Sequence, residues 1–132
     1  MGCDIHAMIE SRADHEYEFL RWWTNRGDPE IVRYYGVFTA LANVRSGVTP
    51  RPFIAEPRGV PDDACEAFSA WHAACGADAH SASWVTLAEV KAYDASWMAG
   101  CSNWQHLIDA MEKVRRPAQP EEDVRLVFFF DN

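Results

Sequence analysis

The stretch from Asp123 to Asn132 constrains the fold of this chain more than any other segment. It contains Val124, Leu126, Val127, Phe128, Phe129 and Phe130. Successive side chains of a strand point to opposite faces, so this run puts hydrocarbon on both faces of a sheet at once. Such a segment is expected to be a central strand, covered on each side. The opening segment, residues 1–10, behaves differently. As a strand it sends Asp4, His6 and Glu10 to one face and Cys3, Ile5, Ala7 and Ile9 to the other.

Between these strands the patterning is mainly helical. Glu16 to Trp23 reads as a returning second strand, with a short helix as its competitor. Tyr34 to Val44 reads as a helix with Phe38, Leu41 and Ala42 facing inward, weakened by Gly36. Residues 46–61 hold Pro50, Pro52, Pro57 and Pro61 without periodicity, which predicts an extended surface loop. Pro61 and Asp62 then begin a helix striped by Ala64, Phe68, Trp71 and Cys75 and capped by Gly76. Thr86 and Glu89 form a capping box for another helix, and Trp104, Leu107, Ile108, Met111 and Val114 stripe a last one. The expected fold class is α+β, a small sheet including the N- and C-terminal strands packed with about four helices.

A chain of 132 residues, 48% hydrophobic with six tryptophans, suits a single domain over 1–132 with one sizeable core. Its net charge of -8 argues against duplex nucleic acid and anionic membranes as partners, while leaving room for a local phosphate site. Cys3, Cys65, Cys75 and Cys101 show no metal-binding or disulfide spacing and are expected as reduced thiols. With no secretory or membrane-spanning segment in the pattern, the expected location is cytoplasmic.

Five stretches resemble a family of small proteins of tailed phages and prophages that open with MGCDIH. They are residues 1–6, 34–45 (YYGVFTALANVR), 57–62 (PRGVPD), 80–87 (HSASWVTL) and 128–132 (FFFDN). The resemblance implies a phage origin, with action inside an infected bacterial cell, and carries no assigned activity. The chain departs from the family pattern in the Cys- and Ala-rich segment Ala64 to Cys75.

Three groups of residues carry candidate chemistry. Asp4 and His6, alternate residues of one strand, are candidate ligands for a divalent metal, with His80, Asp131 or Asp62 needed to complete the site. The competing reading has Asp4 on a backbone amide and His6 as a satisfied imidazole. Arg45, Arg51 and Arg58 concentrate positive charge on the proline-rich loop, where guanidinium forks suit phosphate or carboxylate. Pairing with acids such as Asp62 and Asp63 is the structural alternative. His80, Ser81, Ser83 and Trp84 form a hydroxyl-rich segment, read as a loop, whose aromatic end suits stacking on a base. Trp84 plugging the core is the alternative there.

The leading expectation is an accessory protein that binds a small phosphate-bearing, nucleotide-like ligand where these groups converge, sequestering a host defence signal. A metal-dependent phosphoester hydrolase built on Asp4 and His6 is the second reading. The third is a non-catalytic module that anchors a protein partner through Trp22 and Trp23.

Overall fold

The computed structural model describes residues 2–12, 23–98 and 102–131. Four strands form one antiparallel sheet: β1 (Asp4–Arg12), β2 (Trp23–Gly27), β3 (Ala79–Thr86) and β4 (Val124–Asp131). Their spatial order is β2-β1-β4-β3, so the two strands farthest apart in sequence lie side by side in the middle. Ile5 pairs with Phe130, Ala7 with Phe128 and Ile9 with Leu126, a register without a slip from Asp4 to Ser11. Four helices complete the α+β fold: α1 (Tyr35–Ala42), α2 (Glu66–Cys75), α3 (Leu87–Ala92) and α4 (Ser102–Val114).

The alternation along β1 and β4 sorts these helices into two layers. Cys3, Ala7, Ile9, Leu126, Phe128 and Phe130 face the larger core, with Phe38 and Leu41 of α1, Leu87 and Val90 of α3, and Trp104, Leu107 and Met111 of α4. Met8, Val127 and Phe129 face the opposite way and pack against Phe68, Trp71 and Cys75 of α2. Consecutive apolar residues in β4 are thus explained by a sheet covered on both sides. α2 does not cover the whole of its face. Near its N-terminus, where β4 presents Arg125 and β1 presents Glu10, side chains and the preceding loop take over.

Two sequence expectations are corrected here, and a third lies largely outside the described residues. The returning strand expected over Glu16 to Trp23 lies outside the described residues except for Trp23, and the described second strand is Trp23–Gly27. The helix expected from Pro61 starts instead at Glu66, because Pro61 heads a turn closed by Ala64 N–H on its carbonyl at 3.1 Å. Glu10 then takes the Cys65 N–H at 2.7 Å, which holds that residue extended just before the helix. The segment His80 to Trp84, expected as a loop, belongs to strand β3. There an extra residue between His80 and Ser83 makes a bulge, with Ser81 in the left-handed region at φ 55°.

The Thr86–Glu89 capping box forms as the sequence requires, with both reciprocal hydrogen bonds in place. Gly76 follows α2 at φ 58°, a backbone conformation that glycine adopts without a Cβ penalty. Cys3, Cys65 and Cys75 are free thiols, and Cys101 lies outside the described residues. Among the described residues no helix is long and apolar enough to cross a membrane.

Phe128 is fully buried where β4 meets α1 and its neighbours. Phe128→Ala should therefore cost about 3–5 kcal/mol, read as a lower urea midpoint with little change in slope.

Candidate functional site

The sequence-selected residues do not share one cavity. Asp4 and Asp131 sit directly opposite each other on β1 and β4, an arrangement of like charges that needs compensation. Arg33 supplies it for Asp4, its Nε donating to Oδ1 at 2.8 Å. The guanidinium lies over Gly2, where any Cβ would run into it. This ion pair raises the Arg33 pKa from its already high value. His6 meets Asp131, with Nε2 and Oδ2 2.5 Å apart. The His6 ring also meets Trp71 edge-on and lies against Phe129, each with centroids 5.0 Å apart. His72 of α2 also meets Phe129 edge-on, with ring centroids 5.2 Å apart.

Asp4 and His6 therefore turn to different partners and not to a shared ion. Among the described residues no group of three or more His, Cys, Asp and Glu side chains is arranged to hold a metal. Of the residues expected to complete such a site, Asp131 reaches His6. His80 falls on the other face, stacked on Phe130 at 6.1 Å with Nδ1 3.0 Å from Ser81 Oγ.

The three loop arginines also diverge, each to its own aromatic ring. Arg45 lies over Tyr35 at 5.6 Å, and Arg51 lies over Trp97 at 5.2 Å. Tyr93 fastens that part of the loop by donating its hydroxyl proton to the Pro52 carbonyl. Arg58 lies over Trp84 at 4.6 Å and forks onto Glu89 through both terminal nitrogens. Its position follows from the edge of the sheet. Arg58 N–H donates to Ser83 Oγ, and Gly59 N–H to the Ala82 carbonyl, so the loop runs along β3. Gly59 takes φ +87° there, a conformation that favours glycine.

Arg58 and Trp84 open onto a cleft of about 660 Å³ that also borders Arg12, Trp23, Asp63 and Arg125. Within it guanidinium groups and indoles alternate. Arg12 is 5.8 Å from the Trp23 ring, Arg125 is 3.9 Å from Trp23 and 6.0 Å from Trp84, and Arg58 follows. Each contact places a cation over the electron-rich face of an indole. A cavity of about 770 Å³ lies between the end of β2 and α4, but its charged lining, including Arg26, Asp28, His106 and Lys113, is exposed. The smaller cleft has the more specific chemistry because its central cation is buried.

Arg125 is only 4% exposed and is matched by Glu10, its direct cross-strand neighbour, which is fully buried. Arg125 Nε donates to Glu10 Oε1 at 2.7 Å, while Glu10 Oε2 accepts from Cys65 N. Arg125 Nη2 lies 3.1 Å from Asp63 Oδ1, within ion-pair range. Among the described residues no acceptor meets that nitrogen in hydrogen-bond geometry. Cys65 lies beside this pair, where burial first and the Glu10 carboxylate next push its thiol pKa up despite backbone hydrogen bonds.

Sequence reading singled out Arg58 and Trp84, which border the cleft, and did not single out Arg125, Glu10 as its partner, or the place of Trp23 at the cleft. A signal was present: one arginine in an otherwise apolar central strand must find a buried acid. Glu10 stood on the polar face of the opening strand. Trp22, the other expected anchor, lies outside the described residues, while Trp23 is largely buried at 8% exposure.

No family model matches the chain, and neither does any curated protein or solved structure.

Removing one member of the buried pair strands the other. Glu10→Ala should cost about 3–5 kcal/mol by urea denaturation, whereas Glu10→Leu with Arg125→Met should cost less than that single change.

At the cleft rim, the hydrogen bonds from Arg58 lower the Glu89 pKa most, against the opposing effect of burial, and Thr86 adds to the lowering. Arg58 is raised in turn. Glu89 ionises more readily in the folded chain than in the unfolded one. The pair's stabilisation is thus full above the unfolded carboxylate range and is lost as pH falls through the depressed folded value. Wild type and Glu89→Gln should differ in urea midpoint at pH 7, and the difference should shrink as pH falls from the unfolded carboxylate range through the depressed folded value.

Proposed function

We propose that this domain binds a small planar ligand carrying an oxyanion, of the nucleotide-like class, in the cleft between Trp23 and Trp84. One observation carries the reading: a buried arginine with a guanidinium nitrogen lacking an aligned acceptor stands between two indoles at the wall of an open cleft. A buried N–H without an acceptor costs roughly 1–3 kcal/mol, so an acceptor delivered by a ligand returns free energy to the folded state. Trp84, half-buried beside Arg58 at the cleft, offers aromatic surface for a ring system, and such stacking is worth about 1–3 kcal/mol per base. Arg58, already oriented by Glu89 and the β3 edge, offers a second guanidinium at the rim.

On this reading the ligand's ring lies against Trp84 and its oxyanion toward Arg125. The expected role is capture, since the cleft combines aromatic surface with charge recognition. In the setting implied by the resemblance to phage proteins, such capture would lower the free concentration of a host signalling nucleotide.

The test is a thermal-shift panel of nucleotides and cyclic nucleotides, with the compound recovered and weighed afterwards. A ligand at a hundred times its dissociation constant stabilises by about 2.7 kcal/mol, a shift of several degrees. Arg58→Ala should weaken binding about tenfold and Trp84→Ala should abolish the shift, with the ligand recovered intact from wild type. No shift with any phosphate-bearing compound, or recovery of a cleaved product, would overturn the proposal.

A further inference from the structure

The donor set inside the cleft is already holding an oxyanion, and that oxyanion belongs to the chain. Trp23 Nε1 donates to Asp63 Oδ2 at 3.0 Å, and Arg125 Nη2 lies 3.1 Å from Asp63 Oδ1. One carboxylate thus bridges an indole N–H from β2 and a guanidinium from β4. The two donors are fixed: Trp23 and Arg125 are 8% and 4% exposed, and their rings and planes are in contact. Asp63 is not fixed in the same way. It comes from the irregular segment before α2, and its side chain is 58% exposed.

We propose that Trp23 Nε1 and Arg125 Nη2 form an oxyanion subsite, and that Asp63 is the tethered stand-in which an external carboxylate or phosphoryl group displaces. This rests on the ligand-binding reading of the cleft and names the part of it that takes the charged end of the ligand. The arrangement is suited to anion recognition: a neutral indole N–H donates to one oxygen of a carboxylate, and a buried guanidinium nitrogen lies at ion-pair distance from the other. Asp63 and Trp23 also line a neighbouring cavity of about 410 Å³ beside Cys65 and Glu66. The carboxylate therefore stands at the partition between two cavities, and its withdrawal leaves a longer groove with the donors at its centre.

A tethered group competes at an effective concentration on the order of millimolar or more. An external anion must overcome it, so removing the Asp63 carboxylate should tighten anion binding and leave the donors in place. Arg125 remains paired with Glu10 in that variant, which keeps the buried cation compensated.

The experiment follows the Trp23 indole N–H resonance, identified by its loss in Trp23→Phe, in wild type, Asp63→Ala and Asp63→Asn. Sodium acetate, inorganic phosphate and AMP are titrated separately at constant ionic strength in chloride. In Asp63→Ala the resonance should move saturably with acetate or phosphate, at a dissociation constant at least tenfold below that of wild type. Asp63→Asn, which keeps an acceptor for the indole but no charge for the guanidinium, should fall between the two and serves as the test if the alanine variant does not fold. Acetate and phosphate arms distinguish a carboxylate from a phosphoryl preference.

Equal response of all three proteins to acetate and phosphate, with dispersed amide spectra, would overturn the subsite. Saturation by the simple anions in Asp63→Ala with no nucleotide binding by any variant would support the subsite and sink the nucleotide-like reading. AMP binding to wild type with no gain on removing Asp63 would do the reverse.

Discussion

The ion pair between Glu10 and Arg125 is the interaction on which the arrangement of the second sheet face depends. Two charges out of water are tolerated only when their remaining donors and acceptors are matched, and this requirement reaches outward from the middle of the sheet. One Glu10 oxygen takes the guanidinium and the other takes the Cys65 amide, so the pair also sets where α2 can begin. The flat faces of the guanidinium are covered by indole and not by hydrocarbon, which brings Trp23 over it from β2 and Trp84 near it from β3. A cleft remains where an apolar layer would otherwise have closed.

The two halves of this face solve the same problem in different ways. Toward the Asp131 end, Phe129 lies under Trp71 and His72, and the charges are relegated to the margin as Asp4 with Arg33 and His6 with Asp131. Toward the Arg125 end, charge occupies the interior and aromatic rings surround it. The first half is an ordinary packed layer with compensated carboxylates at its border. Only the second keeps a buried donor facing an open volume, which is why the candidate site falls there and not at the opening acid and imidazole.

The fold class was legible because it depends on periodicity. The alternation of β1, the double-sided hydrophobicity of β4, the capping box at Thr86 and the stripe of α4 each follow from local patterns, and each appears in the structure. The beginning of α2 was not legible, since Pro61 carries a helix-start signal that the contact between Glu10 and Cys65, fifty-five residues apart, overrides. His80 to Trp84 looked like a loop because serines disfavour a strand, yet as an edge strand it accommodates a bulge at Ser81. The site suffered most from this limit. Arg45, Arg51 and Arg58 are close in sequence, but three different rings draw them apart, whereas Glu10, Trp23, Asp63, Trp84 and Arg125 meet only through strand order. No spacing rule joins residues from β1, β2, a loop, β3 and β4.

That strand order has a bearing on how the chain reaches its native state. β4 lies between β1 and β3 and follows both in sequence, so during synthesis each of those strands waits without its main hydrogen-bonding neighbour. Closing the β1–β4 ladder joins segments more than a hundred residues apart, the kind of distant pairing that slows folding. Until β4 leaves the ribosome, the nascent chain must therefore keep two half-made strand edges from associating with other molecules. In that interval the charged side chains of β1, Asp4, Glu10 and Arg12, disfavour edge-to-edge association.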